Sequence, residues 1–434
     1  MEGAFSYVTL VGDVIHPGNL NIINEASKRG KVIVGLLTDE AIISRQRPPF
    51  LDYSKREVIV SNIKDVEMVI PQDDWCGEEN LRKYKPKYVV HGDDWVNNSL
   101  SSVRSRTIEI VSEWGGEVVD IPYTHGINGS VINTARREFG ITPEQRLQSL
   151  RKLLKVKPLI RIMEAHSGIS GLIVEHAEIE KDDGLHYFDG MWSSSLTDST
   201  SNGKPDIEAL DLTTRLQNLT SILECTTKPV IYDGDTGGKV EHFKFTVRTL
   251  ERNGISAVII EDKVGLKRNS LYGTAVEQKL ATIEEFSEKI RAGKNAQLTK
   301  DFMIIARLES LIAGQTVDDA LVRARAYIAA GADGIMIHSK EKSGMDIKEF
   351  CTRLREENPT IPIVLVPTTY NQFREKEFME WGANIIIYAN HMLRASYPAM
   401  VKVANSILEN ERSLEADDLC MPIKEILTLI PEFR

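Results

Sequence analysis

The run Ala257-Val-Ile-Ile260, followed directly by Glu261-Asp-Lys-Val-Gly-Leu-Lys-Arg-Asn-Ser270, is the stretch from which the fold of this chain is read. Four apolar residues, two of them isoleucine and one valine, end in a pair of carboxylates. The chain then enters a charged segment with one glycine and no helical period, the pattern of a buried strand emptying into a loop. Upstream lies a second exit of the same kind, Pro229-Val-Ile-Tyr232 followed by Asp233-Gly-Asp-Thr-Gly-Gly238, where two acids alternate across a strand end and glycines leave room for a ligand to approach. Two acidic strand ends in one domain predict a divalent cation facing an anionic substrate.

Working outward, apolar strands and amphipathic helices alternate eight times. The predicted strands are Leu159 to Met163, Phe188 to Trp192, Val230 to Tyr232, Ala257 to Ile260, Met303 to Ala306, Gly334 to Ile337, Ile363 to Val366 and Ile385 to Tyr388. Eight such pairs over roughly 250 residues predict a (β/α)8 barrel. Helices are expected at Asp206 to Leu223, Val240 to Asn253, Val317 to Ala330 and Lys348 to Glu357.

The N-terminal part reads differently. Tyr7 to Val11, a helical pattern from Leu20 to Arg29 and Val32 to Leu37 form a strand, helix, strand unit of the doubly wound type, continued by strands at Val66 to Ile70 and Tyr88 to His91. His16 and Gly18, after strand one and at a helix start, suit a nucleotide phosphate held by helix N–H groups. A charged helix from Thr142 to Lys157, with Leu147, Leu150, Leu153 and Leu154 on one face, predicts a packed connector. The expected division is therefore 1–140 as a nucleotide-binding domain, 141–157 as connector, 158–410 as barrel and 411–434 as a C-terminal extension, whose apolar end docks on a neighbour.

The 434 residues carry a net charge of −10 and no long basic run, which argues against nucleic acid or a membrane surface as partner. Cys76, Cys225, Cys351 and Cys420 lie far apart without CxxC spacing, so neither a disulfide framework nor a zinc site is expected. No leader-like opening and no apolar run of about 20 residues is present, and a cytoplasmic enzyme is the expectation.

In a barrel the functional face is the C-terminal end of the strands. Reading off the residues after each apolar run yields Glu164 and His166; Trp192, Ser193 and Ser194; Asp233 and Asp235; Glu261 and Lys263; Arg307 and Glu309; His338 and Ser339; Thr368 and Tyr370; Asn390 and His391. Asp233, Asp235 and Glu261 together suit one Mg2+, partly through water, as a hard ion prefers. Arg307 and His338 add donors for a carboxylate or phosphate. The plainer reading of Arg307 is an ion pair with Glu309, and of His338 a hydrogen-bonded barrel histidine.

Two resemblances follow from these residues. The stretch from 1 to about 140 resembles the cytidylyltransferase family, a Rossmann-like nucleotidyltransferase fold. Its HxGH signature is matched by His16 and Gly18, with Asn19 at the second histidine, and its late hydroxyl motif falls at Asn128-Gly129-Ser130. The resemblance implies CTP as a possible substrate, with Gly12, Asp13, His16, Gly18, Asn19, Gly92, Asp93 and Ser130 as nucleotide-binding candidates. Asparagine carries no charge, so stabilisation of a leaving pyrophosphate is expected to weaken.

Residues 158 to 410 resemble phosphoenolpyruvate mutase of the isocitrate lyase superfamily, on Trp192-Ser-Ser-Ser-Leu196 and on Glu261-Asp-Lys263 with Lys267, Asn269 and Ser270. Lyases of that superfamily carry a catalytic cysteine in a KKCGH-type loop, and no cysteine lies between Cys225 and Cys351. The resemblance implies conversion of phosphoenolpyruvate to phosphonopyruvate with Mg2+. It makes Asp233 the direct metal ligand with Asp235 and Glu261 further out. Arg307 and His338 go to the phosphoryl group, and Lys267 and Asn269 to loop closure and phosphoryl stabilisation. Asp206 lies near the transferring group, and the amides of Ser194 and Ser195 hold the carboxylate. Trp192, Ser193, Ser270 and Asn390 complete the substrate-binding set. It further implies a homo-oligomer, dimer or tetramer, formed by exchange of the last barrel helix. A fused enzyme of phosphonate biosynthesis, passing CMP from CTP to a phosphonate such as 2-hydroxyethylphosphonate, is the leading reading. The alternative is a phosphonopyruvate hydrolase barrel with a non-catalytic nucleotide-binding or assembly domain.

Overall fold

The computed structural model describes residues 4–45, 48–96, 100–122, 141–181, 184–265 and 267–430. Two compact units emerge. The first comprises Met1–Ile141, Arg151–Pro158 and Ala177–Tyr187, the second Thr142–Leu150, Leu159–His176 and Phe188–Arg434.

Among the described residues the first unit holds a sheet of five parallel strands, β1 (Phe5–Leu10), β2 (Lys31–Leu37), β3 (Val66–Gln72), β4 (Tyr88–Gly92) and β5 (Glu117–Ile121), in the order β3-β2-β1-β4-β5. Period-2 alternation splits the side chains between two faces. Val8, Leu10, Val34 and Leu36 pack with Ile23 and Ala26, and Tyr7, Ile33 and Val89 with Leu81, Ile110 and Val111. The order reverses between β1 and β4, and ligands bind open α/β sheets at such a switch point. The helix Pro17–Ser27 starts there, with His16 at its N-cap.

The second unit is a closed barrel of eight parallel strands. These are β6 (Ile160–Glu164), β9 (Gly190–Ser193), β10 (Val230–Asp233), β11 (Ala257–Glu261), β12 (Met303–Leu308), β13 (Gly334–Ile337), β14 (Ile363–Leu365) and β15 (Ile385–Tyr388). All eight fall within a residue or two of the expected places. They are almost wholly buried, as parallel strands covered on both faces must be.

Three features depart from expectation. β5 and an antiparallel hairpin, β7 (Glu178–Lys181) with β8 (Gly184–Tyr187), were not foreseen, and the hairpin clusters with the first unit. The helix expected from Asp206 starts only at Leu212, because Asp211 is the N-cap and accepts the Thr214 N–H at 3.1 Å. Residues 206–211 are therefore free of helical constraint, with Glu208 at φ 58°. The glycines after β10 serve their own backbone. A Cβ on Gly234 would lie 2.7 Å from Val258 Cγ2, and Gly234 N–H donates to Ile259 O at 2.8 Å, so this glycine lets the loop press against β11.

The helix Pro143–Val156 buries Leu147, Leu150 and Leu153. Arg146 on it is buried and donates to Lys228 O at 2.9 Å and Leu223 O at 2.8 Å. All four cysteines are free thiols. Among the described residues no helix is long and apolar enough to cross a membrane. Ser130, with Asn128 and Gly129, lies outside the described residues.

Candidate active site

The barrel brings most of the singled-out side chains to one end, in two linked clusters. The first surrounds the loop after β10. Asp233 Oδ2 accepts from Ser195 N at 3.2 Å and from Ser195 Oγ at 2.9 Å, and its Oδ1 accepts from Asp235 N at 3.2 Å. Asp235 is one of the few non-glycine residues in the left-handed region among the described residues, at φ 51°. Such a conformation costs on the order of 1 kcal/mol or more and persists when neighbours enforce it. Two cations do so here: Lys267 Nζ binds Asp235 Oδ1, and Arg215 Nη1 lies 3.3 Å from Oδ2. Lys267 Nζ also reaches Ser195 Oγ and, at 2.7 Å, Asp206 Oδ1. Asn269 Nδ2 donates to the other Asp206 oxygen at 2.8 Å. The non-helical run 206–211 thus presents one carboxylate that clamps both loop residues.

The second cluster joins β11, β12 and β13. Arg307 donates to Glu309 Oε1 at 2.5 Å, to Ser270 Oγ at 2.6 Å and to His338 Nδ1 at 2.9 Å. The ion pair considered from sequence is therefore formed. Lys263 Nζ donates to Ser270 Oγ at 3.0 Å and stands 3.3 Å from both Glu261 Oε1 and Glu309 Oε2. Because a guanidinium only donates, the closer contact makes His338 Nδ1 an acceptor, which puts the imidazole proton on Nε2. Burial and Arg307 both pull the His338 pKa down, so the ring is neutral near pH 7.

The acids respond differently to one environment. Burial works to raise all three. At Asp233 the charges of Lys267, Arg307 and Arg215 overcome it and bring the carboxyl to about 2. Asp235 is raised, by burial and then by Asp233, against the pull of Lys267. Glu261 is pushed up to about 7 by burial with Glu309 adding, despite Arg307. Lys267 is held charged: burial opposes the ammonium, but Asp235, Asp233, Asp206 and Glu261 outweigh it.

Among the described residues no three His, Cys, Asp or Glu side chains form a direct ligand set for one ion. The donor chemistry nonetheless suits a hard divalent cation held by one carboxylate and completed through water. The oxygens are all carboxylate, and Glu261 Oε1 is buried without a hydrogen-bond partner.

Other expected residues sit apart from these contacts. Trp192 is 2 % exposed in the barrel wall. Ser193 Oγ is turned to Asp198 at 3.1 Å. Ser194 caps the helix Ser195–Ser201, its carbonyl accepting from Asp198 N at 2.9 Å. The Ser195 amide, expected to face a carboxylate ligand, is engaged by Asp233. Asn390 Oδ1 accepts from Arg394 at 3.3 Å, and Glu164 accepts from the amides of Met392 and Leu393 and meets His166 Nδ1 at 2.5 Å. Arg215 and Asp198 were not foreseen. The available signal was an arginine on the buried stripe of a helix, between Leu212 and Leu219.

In the first unit, Gly12 has φ +69° and Gly92 ends β4 before the short turn Asp93–Trp95. Asp13 does not face an open site: its carboxylate accepts the amides of Phe50 at 2.8 Å and Leu51 at 2.9 Å. Asn19 Oδ1 accepts the His16 N–H at 3.3 Å, so the residue at the second histidine position caps its own helix. Gly18 lies in the first turn of that helix, and His16 Nδ1 is buried without a partner.

Residues 150–408 match the family described as phosphoenolpyruvate phosphomutase, and residues 13–139 the family described as cytidylyltransferase-like. The chain is 37% identical over 298 residues to the phosphoenolpyruvate phosphomutase of Tetrahymena pyriformis, covering 68% of this chain and 94% of that protein. Among solved structures it resembles the phosphoenolpyruvate phosphomutase of Streptomyces platensis subsp. rosaceus, with TM-score 0.60 and 39% identity over 65% of this chain and 93% of that one. It also resembles a phosphonopyruvate hydrolase in complex with oxalate and Mg++, with TM-score 0.58 and 34% identity over 67% and 95%. With the eight-stranded barrel, the acids at its strand exits and these matches in hand, the chain belongs to the phosphoenolpyruvate phosphomutase family and carries a cytidylyltransferase-like domain ahead of its barrel.

Proposed function

We propose that the barrel interconverts phosphoenolpyruvate and phosphonopyruvate by intramolecular phosphoryl transfer. The P–O bond to the enol oxygen breaks and a P–C bond to C3 of the same pyruvate enolate forms, so no proton or second substrate is consumed. A loose, metaphosphate-like species must be held in place while the enolate offers its other nucleophile, and positioning with charge neutralisation carries the rate. Arg307 and the Nε2–H of neutral His338 are the donors for the phosphoryl oxygens. Ser194 orients the carboxylate, while Ser195, whose amide is bonded to Asp233, holds that acid in place. Lys267, Asn269 and Ser270 close over the site and exclude water, with Asp206 as the clamp of Lys267 and Asn269. Trp192, Ser193 and Asn390 shape the surrounding wall. Asp233, with Asp235 and Glu261 further out, would hold a Mg2+ ion, which would offset the negative charge of the enolate and carboxylate.

The observation that carries this reading is the bond pair from Lys267 and Asn269 to Asp206, because it seals the loop with the donors that a migrating phosphoryl group needs. The test is ³¹P NMR of the full chain with Mg2+ and phosphonopyruvate. A phosphoenolpyruvate resonance supports the mutase. Inorganic phosphate with pyruvate makes the barrel a hydrolase, the activity named for one structural relative.

We further propose that the first unit binds CTP at the start of the helix Pro17–Ser27, and that copies of the chain associate through the helix His391–Asn410. That helix buries none of its own residues and exposes Tyr397, Met400 and Leu408. The cytidylyltransferase-like match supports a reading in which this unit passes CMP to a phosphonate such as 2-hydroxyethylphosphonate, with His16 as the motif histidine that would carry it. Pyrophosphate release by the full chain from CTP that depends on added 2-hydroxyethylphosphonate establishes transfer. Binding of CTP without release makes the unit a nucleotide-binding module.

A further inference from the structure

Arg215 and Asp198 form a buried pair beneath the site, at 4 % and 1 % side-chain exposure, with Arg215 Nε donating to Asp198 Oδ2 at 2.9 Å. A buried ion pair is weak evidence of stabilisation, since desolvation offsets most of the attraction. This one makes further contacts that an ion pair alone does not require. Arg215 Nη1 donates to the carbonyl of Asp233 at 2.6 Å and approaches Asp235 Oδ2, while Nη2 donates to the carbonyl of Ser193 at 3.3 Å. The guanidinium also lies over the Tyr232 ring, 4.1 Å from its centroid. One planar fork therefore ties the end of β9 to the end of β10. The tie continues across the sheet, because the Asp235 carbonyl accepts the Glu261 N–H at 2.8 Å at the end of β11. Asp198 closes the other side: it accepts the Ser193 hydroxyl, and its N–H donates to the Ser194 carbonyl.

We propose that Arg215, held by Asp198, is a positioning residue that sets the serine run 193–195, the Asp233–Asp235 loop and Glu261 in register for substrate and divalent cation. The fork geometry matters as much as the charge, because Lys carries its three donors on a single nitrogen whereas Arg215 spreads its donors over three and reaches four acceptors. Asp235, in its left-handed conformation, is the element most dependent on the tie.

This rests on the mutase reading only for its consequence; its core is a statement about backbone order. Hydrogen exchange of the amides of Asp235, Gly237 and Glu261 is measured in full-length wild type, Arg215→Lys and the double variant Asp198→Asn/Arg215→Met, together with the Kd for Mn2+ and the Tm. In Arg215→Lys, exchange at these amides rises about tenfold or more, as loss of a charge-assisted bond predicts, while amides within β12 and β13 keep their protection. Mn2+ binding weakens by a similar factor. In the double variant no charge is left unpaired, so the Tm returns toward wild type, but amide protection and Mn2+ affinity do not. Wild-type protection in Arg215→Lys, or its recovery in the double variant, overturns the proposal and leaves a simple structural pair. Failure of the wild type to bind Mn2+ refutes the metal reading instead, and the exchange result still decides this one.

Discussion

Replacing Asn269 by Ala removes one amide, and its cost can be worked from one contact. Asn269 Nδ2 donates to Asp206 Oδ2 at 2.8 Å, and its Oδ1 accepts the Leu271 N–H at 3.0 Å. A hydrogen bond to a charged group is worth about 1.5–3 kcal/mol. At about 1.4 kcal/mol per decade the closed loop loses roughly 10- to 100-fold in population relative to the open one. If chemistry occurs only in the closed state, kcat/KM for phosphonopyruvate falls by that factor. Lys267 still holds the other Asp206 oxygen, so closure is weakened and not abolished. The assay is phosphoenolpyruvate formation followed by ³¹P NMR, with limited proteolysis of residues 264–280 as an independent measure of opening. A double-mutant cycle with Asp206→Ala completes it: a coupling of about 1 kcal/mol or more is expected for groups in direct contact. A loss under threefold, or additive single effects, would refute the clamp.

With Glu261 raised to about 7, the free enzyme carries its full set of site anions only above that pH, and the acid limb of kcat/KM is expected near pH 7. Glu309→Gln removes a negative neighbour that raises Glu261, so its pKa drops and the limb moves to lower pH; a limb that stays or moves up contradicts the assignment. In the first unit, a Cβ on Gly35 would lie 2.0 Å from the Tyr7 hydroxyl and 2.2 Å from Gln72 Oε1, parting a 2.8 Å hydrogen bond between them. Gly35→Ala is expected to cost about 2–4 kcal/mol from overpacking and the lost bond, read by denaturant unfolding. Leu408 is 78 % exposed, so Leu408→Glu leaves the barrel folded by circular dichroism but lowers the oligomer mass in light scattering.

The barrel was legible because its strands are continuous apolar runs ending in polar residues, a pattern that burial on both faces imposes. The hairpin was not, since Glu178, Ile179, Glu180 and Lys181 are all exposed and leave no alternation to read. The helix start was misplaced because Pro205 and Asp206 carry start signals, whereas the cap is Asp211, six residues past Pro205. Among site residues, those at strand exits could be read by position alone. Arg215 escaped because it reaches the site from a helix, and the Ser195 amide because its partner comes from a neighbouring strand 38 residues on.

The chain passes between its two units five times, with Arg151–Pro158 and Ala177–Tyr187 returning to the first after the barrel unit has begun. The fusion is thus stitched, not simply concatenated. A polypeptide ending at Ile141 lacks two stretches of its own unit, and one beginning near Pro158 keeps a hairpin that clusters with the other. Point substitution within one unit leaves the architecture of both in place, whereas gene truncation confounds loss of function with loss of architecture.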